Sequence, residues 1–241
     1  MLFKLYGGYI VIKGIKGIIF DADDTLINHK ECEKQALQYL FAKIGENYKD
    51  DYQAVFRPLD KELWNNATLN KGEVTEQQIP EYRFKKLFDI IHIRYKDYSK
   101  ANELFRYGLE HSSGLIPNAK EILKYLNSKD YKLFVISDGL EKIQKSRIIN
   151  CKIEIYFTDI IVSEEVGVSK PNPIIFKTLL ERNNLKSNEV IMIGDSLRKD
   201  IKGANNTNIK SIWYNPFQTI NNTESIPDYE IRNLLELKSL L

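Results

Sequence analysis

Acidic side chains recur in this sequence directly after short apolar runs. Asp21 and Asp23 follow one run, and Asp195 follows a later one, with Asp200 five residues beyond it. Clustered carboxylates repel one another and need a hard cation, and Mg²⁺ accepts oxygen ligands while keeping waters that a phosphate can replace. In extended backbone, residues two apart share a face. One of these two aspartates can therefore attack phosphorus while the other handles a proton.

Groups that suit an anion follow two other apolar runs. Ser137, Asp138 and Gly139 come directly after one run, and Lys170 lies in the loop beyond another. A hydroxyl, an ammonium and backbone N–H groups can neutralise and orient phosphate oxygens. Taken singly, each residue has a plainer explanation, because Asp or Ser after a strand commonly caps a helix and Lys is usually at the surface. Their joint occurrence after four runs favours a phosphate site.

Five apolar runs, each bounded by charged residues, Gly or Asn, are predicted to be buried strands. They are Ile15–Phe20, Leu133–Ile136, Ile160–Val162, Val190–Ile193 and Ser211–Tyr214. Segments between the later runs have helical spacing, and Pro117 and Pro173 precede two of them. This alternation predicts an α/β fold with a Rossmann-like parallel sheet covered on both faces. Ligands of such sheets bind outside the carboxyl ends of the strands, where the polar residues above lie.

The stretch from residue 29 to residue 112 interrupts this alternation. It contains no convincing strand, but it has helical patterns such as Phe84, Leu87, Phe88 and Ile91. A stretch of about 80 residues is too long for a loop. We therefore expect an all-helical cap domain over residues 29–112, inserted into a core domain formed by residues 1–28 and 113–241. Residues 1–14 either add an edge strand or reflect an over-long start.

Composition argues against several classes of protein. The 241 residues are 43% hydrophobic, and Lys and Arg exceed Asp and Glu only by 35 to 33, with no basic block. Neither nucleic acid nor an acidic membrane is therefore expected as a partner. The opening apolar run is interrupted by lysines and falls short of the roughly 20 apolar residues of a membrane span. Cys32 and Cys151 show no metal or disulfide spacing. We expect a cytoplasmic protein, either a monomer or a homodimer.

Four segments resemble the ordered motifs of the haloacid dehalogenase (HAD) superfamily. They are FDADDT (Phe20–Thr25), VISDG (Val135–Gly139), the lysine of VSKPNPIIF (Val168–Phe176) and IGDSLRKD (Ile193–Asp200). Their order and spacing agree with the superfamily over essentially the whole chain, and the helical insertion is similar to its cap. The resemblance implies a Mg²⁺-dependent phosphatase that forms an aspartyl-phosphate.

The resemblance also implies a role for each matching residue. Asp21 would be the nucleophile, and Asp23 would protonate the leaving oxygen and then deprotonate the attacking water. Mg²⁺ would be held by the carboxylates of Asp21 and Asp195 and by the backbone carbonyl of Asp23, with Asp200 supporting that shell. The phosphate would be bound by the remaining motif residues, Ser137, Asp138, Gly139 and Lys170. Dehalogenases resemble this pattern without the second aspartate, so Asp23 favours phosphoester chemistry.

Within the superfamily, the chain is most similar to the pyrimidine 5′-nucleotidases. The similarity lies in Asp24 and in the segments Leu63–Phe88, WYNP (Trp213–Pro216) and PDYEIRNLLEL (Pro227–Leu237). It implies a nucleoside 5′-monophosphate as the small-molecule substrate. The alternatives are a sugar or polyol phosphate, a phosphomutase reaction, and a non-catalytic binding protein. Asp138 departs from the Asn usual in that branch, and a carboxylate beside a phosphate is unfavourable unless it pairs with a cation.

Three residues of the helical stretch are candidates for contacting the leaving group: Trp64, Arg83 and Phe84. Helical spacing favours a packing role for Trp64 and Phe84. Arg83 is left between a substrate contact and an ion pair within the cap. His29 lies at the hinge into the cap, so it can approach the site.

Overall fold

The computed structural model describes residues 12–68 and 74–241. The chain divides into two compact units, one formed by the described residues up to His29 together with Ser113–Leu241, the other by Lys30–Ser112. These bounds lie within one residue of the predicted core and cap ranges. That the second unit acts as a cap stays a prediction. Most of the segment 1–14 lies outside the described residues, which begin at Ile12.

A six-stranded sheet forms the centre of the first unit, and the strand pairings described are all parallel. Its strands are β1 (Gly17–Phe20), β2 (Lys132–Ser137), β3 (Phe157–Val162), β4 (Val190–Gly194), β5 (Lys210–Tyr214) and β6 (Tyr229–Ile231). The order across the sheet is β3-β2-β1-β4-β5-β6. The connections run outward from β1 in both directions, so the strand order reverses at β1. Ligands bind at such a switch point in open parallel sheets, and the predicted α/β class is confirmed.

Five of the strands overlap the predicted apolar runs, and their ends coincide with the predicted ones or are shifted by at most three residues. Strand β6 is not predicted by the sequence, because it spans only three residues and, of these, only Ile231 is buried. A run with one buried apolar residue has no signal that separates it from a loop.

The helices alternate with the strands in the first unit and follow one another in the second. In chain order they are α1 (His29–Lys43), α2 (Asp50–Thr68), α3 (Ile79–Ile90), α4 (Tyr98–Glu110), α5 (Ala119–Asn127), α6 (Glu141–Asn150), α7 (Ser163–Val166), α8 (Pro173–Arg182), α9 (Lys202–Asn206) and α10 (Leu237–Leu240). A five-residue π-helical turn, Leu197–Ile201, follows β4 and leads into α9. In the described ranges, no helix combines the length and apolar character needed to cross a membrane.

Helix α8 illustrates how the first unit builds its core. Asn172 caps the helix by accepting the Ile174 N–H at 3.0 Å, and Pro173 occupies the first turn, where its missing N–H costs nothing. The apolar residues that recur at helical spacing, among them Phe176 and Leu179, are fully buried against side chains of the sheet such as Met192. This packing fixes the sheet whose strand ends carry the site.

The second unit has an aromatic core of its own. The rings of Phe56, Phe84 and Phe105 contact one another, with centroids 5.1 to 5.6 Å apart, and Phe41 contacts Phe88 edge-on. Such pairs add to the free energy gained from burial. Phe84 is fully buried, as its predicted packing role requires, whereas Trp64 is 38% exposed and is not a core residue.

Candidate active site

The first motif starts where β1 ends. The Asp21 N–H donates to the Ile193 carbonyl oxygen at 2.9 Å, so Asp21 continues the pairing of β1 with β4 and lies at the sheet edge. The Thr25 hydroxyl donates to Asp21 Oδ2 at 3.2 Å and accepts the Asp195 N–H at 3.1 Å. Thr25 is fully buried. It therefore links the first motif to the fourth and fixes the position of the Asp21 carboxylate.

Lys170 reaches the same point from the loop beyond β3. Its Nζ lies 2.5 Å from Asp21 Oδ1 and 2.7 Å from Asp200 Oδ1, and it donates to the Ile136 carbonyl oxygen at 3.0 Å. The three donors of the ammonium are thereby used. Burial lowers the pKa of Lys170, but the carboxylates of Asp200 and Asp21 outweigh that effect and hold it well above its usual value. Lys170 is therefore a cation in the centre of the site.

Three carboxylates surround this single ammonium. Oxygen atoms of Asp21, Asp195 and Asp200 lie within 4.8 Å of one another. Burial, with repulsion from Asp200 and Asp24, raises the pKa of Asp195 to about 7. Burial also raises the pKa of Asp21 well above its ordinary value, although Lys170 opposes the shift. One cation cannot neutralise three clustered carboxylates, and an all-oxygen donor set with excess negative charge fits a hard divalent ion such as Mg²⁺.

Asp200 is held on both of its oxygens. Oδ1 accepts from Lys170, and Oδ2 accepts the Ser196 N–H at 2.9 Å. Gly194 makes room for this side chain, because a Cβ at residue 194 would lie 2.3 Å from Asp200 Oδ2. The carboxylate is therefore engaged with the protein, which agrees with the supporting role expected for it. That role stays a prediction.

The Asp23 side chain meets a different set of partners. Arg147 Nη1 lies 2.7 Å from Asp23 Oδ1, and Arg147 Nη2 donates to Asp23 Oδ2 at 2.8 Å. Gln144 Nε2 donates to the same Oδ2 at 3.0 Å, and His29 Nδ1 lies 3.4 Å from Oδ1. Burial alone would raise the pKa of Asp23, but the charge of Arg147, with a smaller effect of His29, lowers it well below its ordinary value.

Sequence reasoning missed Arg147 and Gln144 and considered His29 only as a residue near the hinge. Arg147 is 1% exposed and is the largest fully buried side chain in the described part of the chain. Arg and Gln on a helix usually face solvent, so neither stands out in a single sequence. A usable signal is their position on α6, where they share the buried face with Ile143 and Ile148.

Three of the residues predicted to bind phosphate, Ser137, Asp138 and Gly139, lie at the end of β2 or directly after it. Ser137 is buried at the last position of the strand. Asp138 Oδ1 accepts the Lys170 N–H at 2.9 Å, and its Oδ2 lies 3.1 Å from Lys199 Nζ. The carboxylate of Asp138 is therefore paired with a cation. Such a pairing is what makes a carboxylate beside a phosphate acceptable.

Gly139 adopts a φ of +122°, which side chains rarely tolerate. Its N–H donates to Ser163 Oγ at 2.9 Å. This N–H therefore has a partner within the protein, and binding of a phosphate by it would require the Ser163 hydroxyl to be displaced. The role expected of Gly139 stays a prediction.

In the helical unit, Arg83 forms the ion pair that the sequence left open. Arg83 Nη1 lies 3.0 Å from Asp60 Oδ1, and Nη2 donates to Asn102 Oδ1 at 2.8 Å. Its guanidinium lies over the rings of Phe84 and Phe105, at 5.1 and 4.9 Å from their centroids. Arg83 is only 8% exposed, so its groups are used in joining α2, α3 and α4.

The structure thus brings together residues from four strand ends. Asp21, Lys170, Asp195 and Asp200 form one centre, to which Asp138 is joined by its bond to the Lys170 N–H. The Asp23 side chain is directed to Arg147 on α6 rather than to that centre. The arrangement offers a buried carboxylate, a cation and an acidic cluster that could hold a metal ion at one edge of the sheet.

Comparison with known proteins adds to this geometry. A family model described as haloacid dehalogenase-like hydrolase matches residues 18–214. Pyrimidine 5′-nucleotidase PynA of Streptococcus pneumoniae is 30% identical over 227 residues, which cover 94% of this chain and 94% of PynA. Glyceraldehyde 3-phosphate phosphatase of Pyrococcus abyssi is 34% identical over 223 residues, covering 83% of this chain and 81% of the relative. A solved structure of the HAD-hydrolase YfnB from Bacillus subtilis, bound to magnesium, matches with a TM-score of 0.84 and 30% identity, covering 93% and 97% of the two chains.

Proposed function

The chain belongs to the haloacid dehalogenase-like hydrolase family, and from that premise we propose that it is a phosphatase acting on a small phosphomonoester through an aspartyl-phosphate on Asp21. The observation that carries the proposal is the position of the Asp21 carboxylate. It lies at the end of the central strand, 2.5 Å from the Lys170 ammonium and beside two further carboxylates. A buried nucleophile next to a fixed cation suits attack on a dianionic phosphate.

Mg²⁺ is the cation that we propose for this site, held by the carboxylates of Asp21 and Asp195 and by the backbone carbonyl of Asp23. When bound, it supplies Lewis-acid stabilisation of the phosphoryl oxygens and offsets the charge of the carboxylates. The all-oxygen donor set supports this choice, as does the magnesium bound to the related YfnB.

In the first half of the proposed reaction, a carboxylate oxygen of Asp21 attacks phosphorus in line. The new bond from that oxygen to phosphorus forms as the bond from phosphorus to the leaving oxygen breaks, and Asp23 delivers a proton to the leaving oxygen. Lys170 is placed to stabilise the charge on the phosphoryl oxygens, because its Nζ already lies against the attacking carboxylate.

In the second half, a water molecule attacks the phosphorus of the aspartyl-phosphate while Asp23 takes a proton from that water. The bond from phosphorus to the Asp21 oxygen breaks, which releases phosphate and regenerates the carboxylate. The charge of Arg147 overcomes the effect of burial and lowers the pKa of Asp23. The Asp23 carboxylate is therefore ionised at neutral pH. That is the form needed to accept a proton, so the first half requires Asp23 to take up a proton when the substrate binds.

For the substrate, we propose a pyrimidine nucleoside 5′-monophosphate. The support is the relation to PynA along 94% of both chains, together with the segments that resemble pyrimidine 5′-nucleotidases. A triose or sugar phosphate is the second candidate. It is favoured by the relative of P. abyssi, whose 34% identity is higher over a smaller share of the chain.

The test is release of phosphate from a panel of nucleoside monophosphates, triose phosphates and sugar phosphates, with Mg²⁺ and with EDTA. We expect Mg²⁺-dependent release by the wild type and a loss of roughly 10³-fold or more in Asp21→Asn, because an amide cannot act as the nucleophile. Acid quenching during turnover of a ³²P-labelled substrate should leave label on the wild-type protein only.

Asp159→Asn, the same substitution on strand β3, is the matched control and should retain activity. Phosphate release that persists in Asp21→Asn would contradict the proposed nucleophile. A folded wild type that binds Mg²⁺ but releases phosphate from none of the substrates would contradict the phosphatase function itself.

A further inference from the structure

We propose that Arg147 is a positioning residue for Asp23 and that, together with Gln144, it fixes the direction in which the Asp23 carboxylate faces the reacting groups. This rests on the proposed function, because a fixed direction matters only if Asp23 exchanges protons with a substrate and with water. Neither residue belongs to the four motifs, and both come from helix α6.

The contacts hold the carboxylate by both of its oxygens. The two terminal nitrogens of Arg147 lie 2.7 and 2.8 Å from the two oxygens of Asp23. The contact at Oδ2 is a hydrogen bond, and the contact at Oδ1 is an ion pair whose Nη1 also bonds to His29 Nδ1 at 3.1 Å. Together they limit both the direction and the distance of the carboxylate. Gln144 Nε2 donates a second hydrogen bond to Oδ2, at 3.0 Å. Rotation of the Asp23 side chain would therefore break several bonds at once.

The two holding residues are themselves fixed. Arg147 Nη2 donates to Gln144 Oε1, and Gln144 Nε2 donates to the Asp138 carbonyl oxygen at 2.6 Å. They lie three positions apart on α6, so their side chains share one face of the helix. Arg147 and Gln144 are 1% and 4% exposed. The position of Asp23 is thus tied to the loop after β2, which is predicted to bind the phosphate.

The distribution of burial argues for positioning rather than for stability. The Arg147 side chain is 2% exposed, whereas that of its partner Asp23 is 29% exposed. Burying a guanidinium has a large desolvation cost, and buried ion pairs often contribute little net stability. The cation is thus buried, whereas part of the Asp23 side chain remains exposed, two residues beyond the proposed nucleophile.

A positioning role predicts which substrates depend on Arg147. An alkyl phosphate, including a nucleoside monophosphate, needs a proton on its leaving oxygen, so its cleavage depends on the direction of Asp23. The p-nitrophenolate of p-nitrophenyl phosphate departs as an anion and needs no proton. Because kcat/KM covers only the steps up to departure of the leaving group, comparing kcat/KM for the two substrate types isolates the step in which Asp23 donates its proton.

The experiment measures kcat/KM with both substrate types for the wild type, Arg147→Lys and Asp23→Asn, at equal concentrations of folded protein. Lysine keeps the charge, but its single nitrogen cannot contact both oxygens of Asp23 as the guanidinium does. We expect Arg147→Lys to lose about 10²-fold or more on the nucleoside monophosphate and less than about tenfold on p-nitrophenyl phosphate, since general acid catalysis contributes roughly 10²–10⁴-fold. Once Asp23 is replaced by Asn, adding Arg147→Lys should cause little further loss.

Arg182→Lys is the matched control, since Arg182 also pairs with carboxylates in the same unit, at Glu165 and Asp159, and it should leave the ratio of the two substrates unchanged. If Arg147→Lys does not fold, Gln144→Met removes one of the holding bonds without touching a charge and should shift the ratio in the same direction. Equal losses on both substrates, or losses that add to those of Asp23→Asn, would overturn the positioning role and leave the phosphatase intact. A wild type without phosphatase activity would overturn both.

Discussion

Among single residues, Gly194 shows how closely the site is packed. A Cβ at residue 194 would lie 2.6 Å from Asp200 Cβ as well as against its carboxylate, and Asp200 can move only by giving up Lys170 or the Ser196 N–H. We expect Gly194→Ala to lower the free energy of unfolding by about 1–3 kcal/mol. It should also reduce phosphatase activity per folded molecule, because Lys170 loses one of its two carboxylate partners. Thermal unfolding and activity assays at matched folded fractions measure the two effects.

Gly203→Ala offers a comparison in the core of the same unit. A Cβ there would lie 2.3 Å from Phe176 Cε2, so it should cost similar stability but leave the activity of the folded molecules unchanged. Full activity in Gly194→Ala would mean that the position of Asp200 is not needed for the reaction.

The residues of the central cluster are foreseeable from sequence because strand ends in a parallel sheet meet at one edge. Asp21 and Asp195 stand directly after buried apolar runs, which makes their proximity a consequence of the fold. Arg147 is not foreseeable in the same way. Its burial depends on Asp23 being within reach, and that contact joins residues 124 positions apart, which no local pattern encodes.

At the scale of elements, Arg83 connects three helices of the second unit. It joins α3 to Asp60 on α2 and to Asn102 on α4. We expect Arg83→Met to lower the free energy of unfolding by roughly 1.5–3 kcal/mol, the range for hydrogen bonds to charged groups. KM should stay within about twofold of the wild type, because the Arg83 groups are used within the helical unit. A loss of about 1.4 kcal/mol in substrate binding would instead raise KM about tenfold. Denaturant unfolding and steady-state kinetics test the two expectations.

The coupling energy between Arg83 and Asp60 can be measured by combining Asp60→Asn with Arg83→Met. If the ion pair is the main role of Arg83, the double variant should lose less stability than the sum of the two single losses. A large rise in KM with unchanged stability would instead assign Arg83 to the substrate.

Element boundaries show where sequence patterns succeed and fail. Strands β1, β2, β4 and β5 carry continuous buried residues, and such runs are what an apolar pattern detects. Strand β3 is predicted only for its second half, because its exposed and half-buried first residues interrupt the pattern. Helical spacing, the lack of strand patterns and the length of the stretch predict the helical unit. They do not predict the exposure of Trp64, since spacing indicates a helix face and not what packs against it.

For the molecule as a whole, the acidic cluster predicts how stability responds to Mg²⁺ and pH. Burial and neighbouring carboxylates raise the pKa of Asp195 to about 7. Without metal, the stability that its protonation provides is fully present below the ordinary pKa of a carboxyl group, about 4, and is lost as the pH rises through about 7. Mg²⁺ binds the deprotonated carboxylate, so its stabilising effect should grow over the same range.

We therefore expect the increase in Tm caused by Mg²⁺, relative to EDTA, to be larger at pH 8 than at pH 6. Differential scanning calorimetry at the two pH values measures it. Asp195→Asn should remove most of the increase and its dependence on pH. An increase of the same size at both pH values would show that Asp195 does not couple metal binding to protons.

The pairing of β1 has a consequence for how the protein is made. Lys16, just before β1, bonds to Glu189, just before β4, across 173 positions, whereas the helical unit occupies one continuous stretch of chain. At about 5–20 residues per second, a ribosome needs roughly 10–30 s to synthesise the segment that separates the two strands. All residues of the helical unit are therefore synthesised long before β1, the strand that precedes Asp21, can pair with both β2 and β4. The catalytic centre is thus among the last features to assemble, and translation that stops before β4 yields a chain without it.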